Sequence, residues 1–459
     1  MLLILATAGC GASARSSAGS PISAAVRLSS TPFAHCQGGN LSGNNYLNDV
    51  VEPSVAMSGA TIVGAWQQDR WSNGGAHGIV ASASKDGGKT WRHSTLPFGR
   101  CTPGGLRYDR ADDPWISIGP DGAVYATAMV FDGGAGGHNS MGATVSTDGG
   151  LTWQHAQTVD TRNSTAQFLD DKDTVTADPT RAGTAYAVWR WRHSDNRSPL
   201  VFAKTTDDGV HWSKPRVIVP FGGHTLAAIG GQIVVDPKTG MLFNVFLYGL
   251  KPSPSRRPQA WIAAMTSRDG GATWSRPHLM VQTGELAVQS PVRGGVTPVA
   301  AYDLKHRVLD VVWNDPRFNH GRYDGVIFTR SVDGIHWSAP LRIDSPVGKA
   351  AFDPMVAATQ DGTVDVTYYQ IRRAGAGKNR WLTDYWIRSS TDGGKVFGLP
   401  QHVAGPFDIT NAPIVTGGYF VGDYQGLAAG RTGFALLFVQ TTHQGAVAPT
   451  AVFAAAVNR

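Results

Sequence analysis

Along the chain, short runs of alternating apolar and polar residues recur, and no long stretch carries the helical period. Six pairs of such runs read EPSVAMSGATIVGAW (52–66), DPWISIGPDGAVYATAMV (113–130), DTVTADPTRAGTAYAVWRW (173–191), GQIVVDPKTGMLFNVFLY (231–248), TPVAAYDLKHRVLDVVW (297–313) and FDPMVAATQDGTVDVTYY (352–369). Each pair predicts two strands and a tight turn. Where the turn reads PDG or QDG, Gly supplies the backbone conformation that a hairpin needs. A third strand follows each pair and a fourth precedes the next, so four strands recur about every sixty residues. A seventh pair, GDYQGLAAGRTGFALLFVQTT (422–442), is followed by a third strand, PTAVFAAAV (449–457), with no fourth after it. The segment ISAAVRLSS (22–30) is the candidate for that missing strand.

A second repeat marks the turn after each third strand: SKDGGKTW (84–91), STDGGLTW (146–153), TTDDGVHW (205–212), SRDGGATW (267–274), SVDGIHW (331–337) and STDGGKVF (390–397). The closing aromatics Trp91, Trp153, Trp212, Trp274, Trp337 and Phe397 are spaced by 62, 59, 62, 63 and 60 residues. Physically the motif describes one turn. The short carboxylate accepts hydrogen bonds from its own loop, Gly permits positive φ, and the aromatic ring buries itself beside a sheet.

These residues resemble the Asp-box, S/T-x-D-x-G-x-x-W/F, the repeat of bacterial neuraminidases and related sialidase-like propellers. The resemblance covers most of the chain. It implies an all-β propeller of four-stranded antiparallel blades, with the box residues Asp86, Asp148, Asp207, Asp269, Asp333 and Asp392 on structural outer turns away from the substrate face. Seven blades are favoured over the six of true sialidases, because segment 22–30 would close the ring as an outer strand and leave no free edge. The reading is a signal and linker over 1–20, then a single propeller domain over 21–459.

Composition agrees with an all-β protein: of 459 residues, 56 are Gly, 26 Pro and 14 Trp. The formal charge is +6, but the basic residues are scattered rather than run together, which argues against a nucleic-acid partner. The first residues, MLLILATAGC, resemble a lipoprotein signal with Cys10 as the lipidated residue, the alternative being a simple cleaved signal. Either way the expectation is an exported monomer, secreted or held at the membrane by its lipid anchor alone. Ring closure would put Cys36, in the connection into the first blade, on the same face as Cys101, in the connection to the second. That juxtaposition predicts a Cys36–Cys101 disulfide.

Opposite the boxes lie the connections between second and third strands and those between blades, where function is expected. They gather Arg, Asp and aromatic residues suited to a sugar site. Arg110, Arg293 and Arg372 are candidates for carboxylate binding, Arg70, Trp71 and Trp191 for further substrate contact, Asp113 for acid/base work and Tyr424 for the nucleophile. Sialidases carry the signature F/Y-R-I/L-P, and this sequence does not contain it. The acids at the starts of first strands, Glu52, Asp113, Asp173, Asp353 and Asp423, have a structural rival reading as anchors between blades. They could also hold a hard cation such as Ca²⁺ in the axial channel, the one cofactor considered, and no histidine spacing suits zinc. Two functions follow: an exo-glycosidase of sialidase type acting on cell-surface or extracellular glycans, or a non-catalytic propeller that binds glycan or protein.

Overall fold

The structure, a computed structural model, describes residues 21–33, 35–36, 42–133, 137–160, 168–193, 195, 197–251, 253, 255, 257–284, 291–295, 297–346, 350–373, 380–442 and 447–458. Cys10 and the expected signal and linker lie outside them.

Alternating patterns become seven four-stranded antiparallel units. In the first, Val50–Ser58, Thr61–Arg70, Ala76–Ser84 and Arg92–Leu96 lie side by side in chain order. Five more repeat that order, starting from Arg110–Ile118, Phe168–Ala177, Thr225–Val235, Val299–Asp303 and Ala351–Ala358. A single bridge, Ala76↔Ala111, joins the first two units into one continuous sheet. The seventh contains Gly426–Ala429, Gly433–Thr441, Thr450–Asn458 and, as its outermost strand, Val26–Arg27. The register of that closing strand is Val26↔Ala454 and Arg27↔Phe453, extended by an Ile22↔Val457 bridge.

First strands pack on the first strands of both neighbouring units, and the first unit packs on the seventh. They therefore surround a common axis. Sheets bury apolar side chains from both faces against their neighbours, and Trp66, Trp189 and Trp313, each on a second strand, are almost wholly enclosed. Burial of such a side chain contributes on the order of 2–3 kcal/mol.

All six boxes connect third strands to fourth strands, as expected. In the first, Asp86 accepts from the Lys89 and Thr90 amides at 3.0 and 2.9 Å and from the Thr90 hydroxyl at 2.6 Å, while the Ser84 hydroxyl accepts from the Gly88 amide at 2.8 Å. The fourth box also wedges against the preceding blade. A Cβ on Gly271 (φ +82°) would stand 2.3 Å from the Phe202 ring.

Cys36 and Cys101 form a disulfide with their Cα atoms 5.6 Å apart. It ties the segment that follows the closing strand to the connection between the first two blades.

Three variants test this arrangement by urea unfolding. Gly271→Val adds left-handed strain to an overpacked contact, with an expected loss of about 2–5 kcal/mol. At Gly122, also at positive φ but with open space around it, substitution by Ala is expected to cost only the strain, about 1–2 kcal/mol. Replacing both Cys36 and Cys101 by Ser is expected to cost roughly 2–5 kcal/mol and to make the unfolding midpoint insensitive to reductant.

Candidate functional site

Near its start, the first strand of most blades carries an irregularity. The register shifts between Val51 and Ser54, Asp112 and Trp115, Asp171 and Thr174, Ile229 and Gln232, and Phe352 and Met355. At each shift one residue takes the left-handed conformation: Glu52 (φ 54°), Asp113 (51°), Lys172 (53°), Gly230 (63°) and Asp353 (49°). Pro53, Pro114 and Pro354 follow three of them, and a proline is tolerated at a bulge because no ladder bond is required there. Left-handed backbone costs a non-glycine residue roughly 1–2 kcal/mol. The bulge re-aims that side chain.

Side chains from different blades consequently meet. The Lys172 ammonium lies 2.7 Å from Asp113, 2.8 Å from Asp423 and 3.4 Å from Glu52. Arg293 also donates to Asp423, through Nη2 at 2.6 Å to the oxygen that Lys172 contacts and through Nε at 3.3 Å to the other. Arg70 pairs with Asp112 at 2.9 Å, and the guanidinium groups of Arg70 and Arg293 lie 5.5 and 4.3 Å from the Phe420 ring centre. The same acids also bind backbone between blades. Asp113 accepts from the Lys172 amide, Glu52 from the Asp423 amide and Asp353 from the Gly295 amide, at 3.2, 3.2 and 2.7 Å.

Electrostatics sorts these carboxyls. Burial, aided by Asp113 and Asp423 and opposed by Lys172, pushes Glu52 well above the usual carboxylate range. Burial pushes Asp113 up to about 6 against the pull of Lys172. For Asp423 burial works in the same direction, but Lys172 and Arg293 together win and hold it below its ordinary value. Burial disfavours the Lys172 ammonium too, yet Asp113, Asp423 and Glu52 keep its pKa well above normal. One acid is thus poised to exchange a proton near neutrality while its neighbour stays ionised.

Asp113, Lys172, Trp115, Gln232 and Tyr424 line a small cavity of about 20 Å³. Another, of about 120 Å³, shares Trp115, Gln232 and Val299 with it and reaches Met355 and Gln425. Oxygens of Glu52, Asp112 and Asp113 lie within 4.8 Å of one another, an all-oxygen set suited to a hard cation, but Lys172 already contacts two of the three.

Of the residues singled out in the sequence, Asp113, Arg70 and Arg293 belong to this cluster. Arg110 is buried, stacks on Trp71 at 4.5 Å, and donates to the Gly74 and Ser42 carbonyls at 2.7 and 2.8 Å, bracing the loop before it. Burial lowers its pKa to about 10. Trp71 is itself nearly enclosed, and Trp191 packs in a core cluster with Trp189. Arg372 sits on the sixth blade and donates to Asp384 at 2.6 Å. Tyr424 donates its hydroxyl to the Pro114 carbonyl at 2.9 Å, packs edge-on to Trp115, and has its phenol pKa pushed well up by burial and the nearby acids. Glu52 and Asp423, read in the sequence as anchors between blades or cation ligands, belong to the cluster too, and Lys172 and Asp112 complete it without having been assigned a role. The signal for Glu52 and Lys172 was the place they share with Asp113 in the repeat, directly before Pro53, Asp173 and Pro114.

No protein-family model matches the chain, and no curated protein does. Solved structures of similar fold include a Hadza microbial sialidase (15% identity, 82% of this chain and 76% of that chain covered, TM-score 0.48). They also include a GH93 α-L-arabinofuranosidase of Fusarium graminearum (16%, 80% and 98%, 0.47) and an α-L-arabinanase of Penicillium chrysogenum (14%, 88% and 92%, 0.44). With its four-stranded sheets arranged about one axis and its six boxes on the turns between third and fourth strands, the chain is a β-propeller.

Proposed function

We propose that the protein is a retaining exo-glycosidase acting on extracellular glycans, with its chemistry at the axial mouth. One observation carries this reading: Asp113 and Asp423 contact the same ammonium yet have opposite proton affinities. Their contacting oxygens are therefore at most about 5.5 Å apart, too close for the water of an inverting enzyme, and such a split in pKa is how an acid and a nucleophile are assigned. In the first step Asp113 protonates the glycosidic oxygen as its bond to the anomeric carbon breaks, and the Asp423 carboxylate bonds to that carbon. In the second, Asp113 takes a proton from water, whose oxygen attacks the same carbon and releases Asp423. Arg293 and Lys172 keep Asp423 ionised. Tyr424 supports the cavity wall and takes no part in bond making. Export, consistent with the disulfide, and lipid attachment at Cys10 belong to the same proposal.

A second reading, a glycan-binding propeller without catalysis, is favoured by the pairing of Arg70, Arg293 and Arg372 with Asp112, Asp423 and Asp384. No free set of arginines then awaits a substrate carboxylate among these three.

Hydrolysis of a panel of aryl glycosides, including a sialoside and an α-L-arabinofuranoside, separates the two. Cleavage of at least one is expected, with Asp113→Asn lowering kcat/KM by about 10²–10⁴-fold. Tyr424→Phe is expected to stay within roughly tenfold of the parent, since it removes only a bond to a backbone carbonyl. Full activity in Asp423→Ala would overturn the assignment, and glycan binding without any turnover would favour the second reading. In a pH series, kcat/KM is expected to fall as pH rises through about 6, where Asp113 loses the proton it must donate.

A further inference from the structure

The place at which three blades aim a carboxylate toward their neighbours is held on the third blade by a lysine. Glu52, Asp113 and Asp353 share the left-handed bulge position with Lys172. A long cationic side chain in that backbone region is strained, so its position calls for compensation. The compensation is visible at its tip. An ammonium has three N–H donors, and three carboxylates stand against this one, from the first blade (Glu52), the second (Asp113) and the segment entering the seventh (Asp423). A point charge suits such a set, whereas a planar guanidinium would favour one or two carboxylates in its own plane. Removing the ammonium would leave the cluster of Glu52, Asp112 and Asp113 oxygens with the span of a hard-cation site.

We propose that Lys172 is the positioning residue of the mouth, its ammonium standing where a divalent cation would otherwise bind and drawing Glu52, Asp113 and Asp423 together. The native protein is then independent of calcium at this site because it carries its own cation. This goes beyond the hydrolytic reading and does not rest on it.

The test uses the full chain with calcium alone as probe, by titration calorimetry and thermal unfolding. Wild type is expected to show no calcium binding and no change in Tm. Lys172→Ala is expected to have a lower Tm in chelator, to bind calcium measurably where wild type does not, and to recover Tm when calcium is added. Adding Glu52→Gln to that variant is expected to abolish the gain. Lys172→Met, which keeps the apolar stem, serves as the second variant if the first is poorly folded. Equal calcium binding by wild type and variant would overturn the proposal, as would a folded variant with no gain or one that fails to fold in either buffer. Gain of calcium binding in a protein that cleaves none of the glycosides would leave Lys172 in this role and remove the hydrolase reading.

Discussion

A four-stranded sheet with apolar residues on both faces cannot stand alone in water. Each unit here has to be covered on two sides, and a closed ring is the arrangement in which every sheet covers its neighbours and none is left over. The ring nevertheless has a seam, because the last blade supplies only three strands from the end of the chain. Pairing of Val26–Arg27 with Thr450–Asn458 fills that place and joins residues more than four hundred positions apart. The Cys36–Cys101 disulfide secures the chain just beyond it. The convergence of first strands on one axis depends on this closure, and so does any site formed between them.

The two faces of the ring use the same repeat differently. On one, the boxes satisfy their own backbone through Asp and Ser or Thr side chains, and their glycines allow a tight fit to the preceding blade, as at Gly271 on Phe202. That chemistry is self-contained and repeats with little change. On the other, the bulge in five of the first strands turns one residue out of the sheet pattern, and the residue type varies: Glu52, Asp113, Lys172, Gly230, Asp353. Equivalent backbone positions thus present acids, a base and a bare backbone to a shared centre. Strain at these positions is offset by the contacts that the re-aimed side chains make across blades.

Charge is enclosed at that centre only because it is balanced there. Lys172, Arg293 and Arg70 face Glu52, Asp112, Asp113 and Asp423, and an unpaired member of this group would carry a large desolvation penalty. Balance does not make the acids alike. Asp423 touches two cations and stays ionised, Asp113 touches one and sits near 6, and Glu52, with the longest contact to Lys172, is driven toward its neutral form. Burial raises all three proton affinities, and the second cation, Arg293, is what brings Asp423 below its ordinary value while Glu52 and Asp113 stay above theirs.

Local chemistry made much of the fold legible in advance. Alternation, turn residues and the box spacing are properties of short stretches, so the strands, the box positions and the need for a closing strand could be read from the chain alone. The placement of Cys36 beside Cys101 followed from that topology. The composition of the site did not. Arg110, Trp71, Trp191 and Arg372 were read as loop residues, yet all but Trp71 lie near strand ends, and packing turns the first three inward and pairs Arg372 with Asp384, because position along the chain does not determine where a side chain points. Lys172 and Asp423 are distant in sequence and meet only through the bulges and ring closure, so the ammonium that organises the mouth became visible only when the tertiary structure brought those blades together.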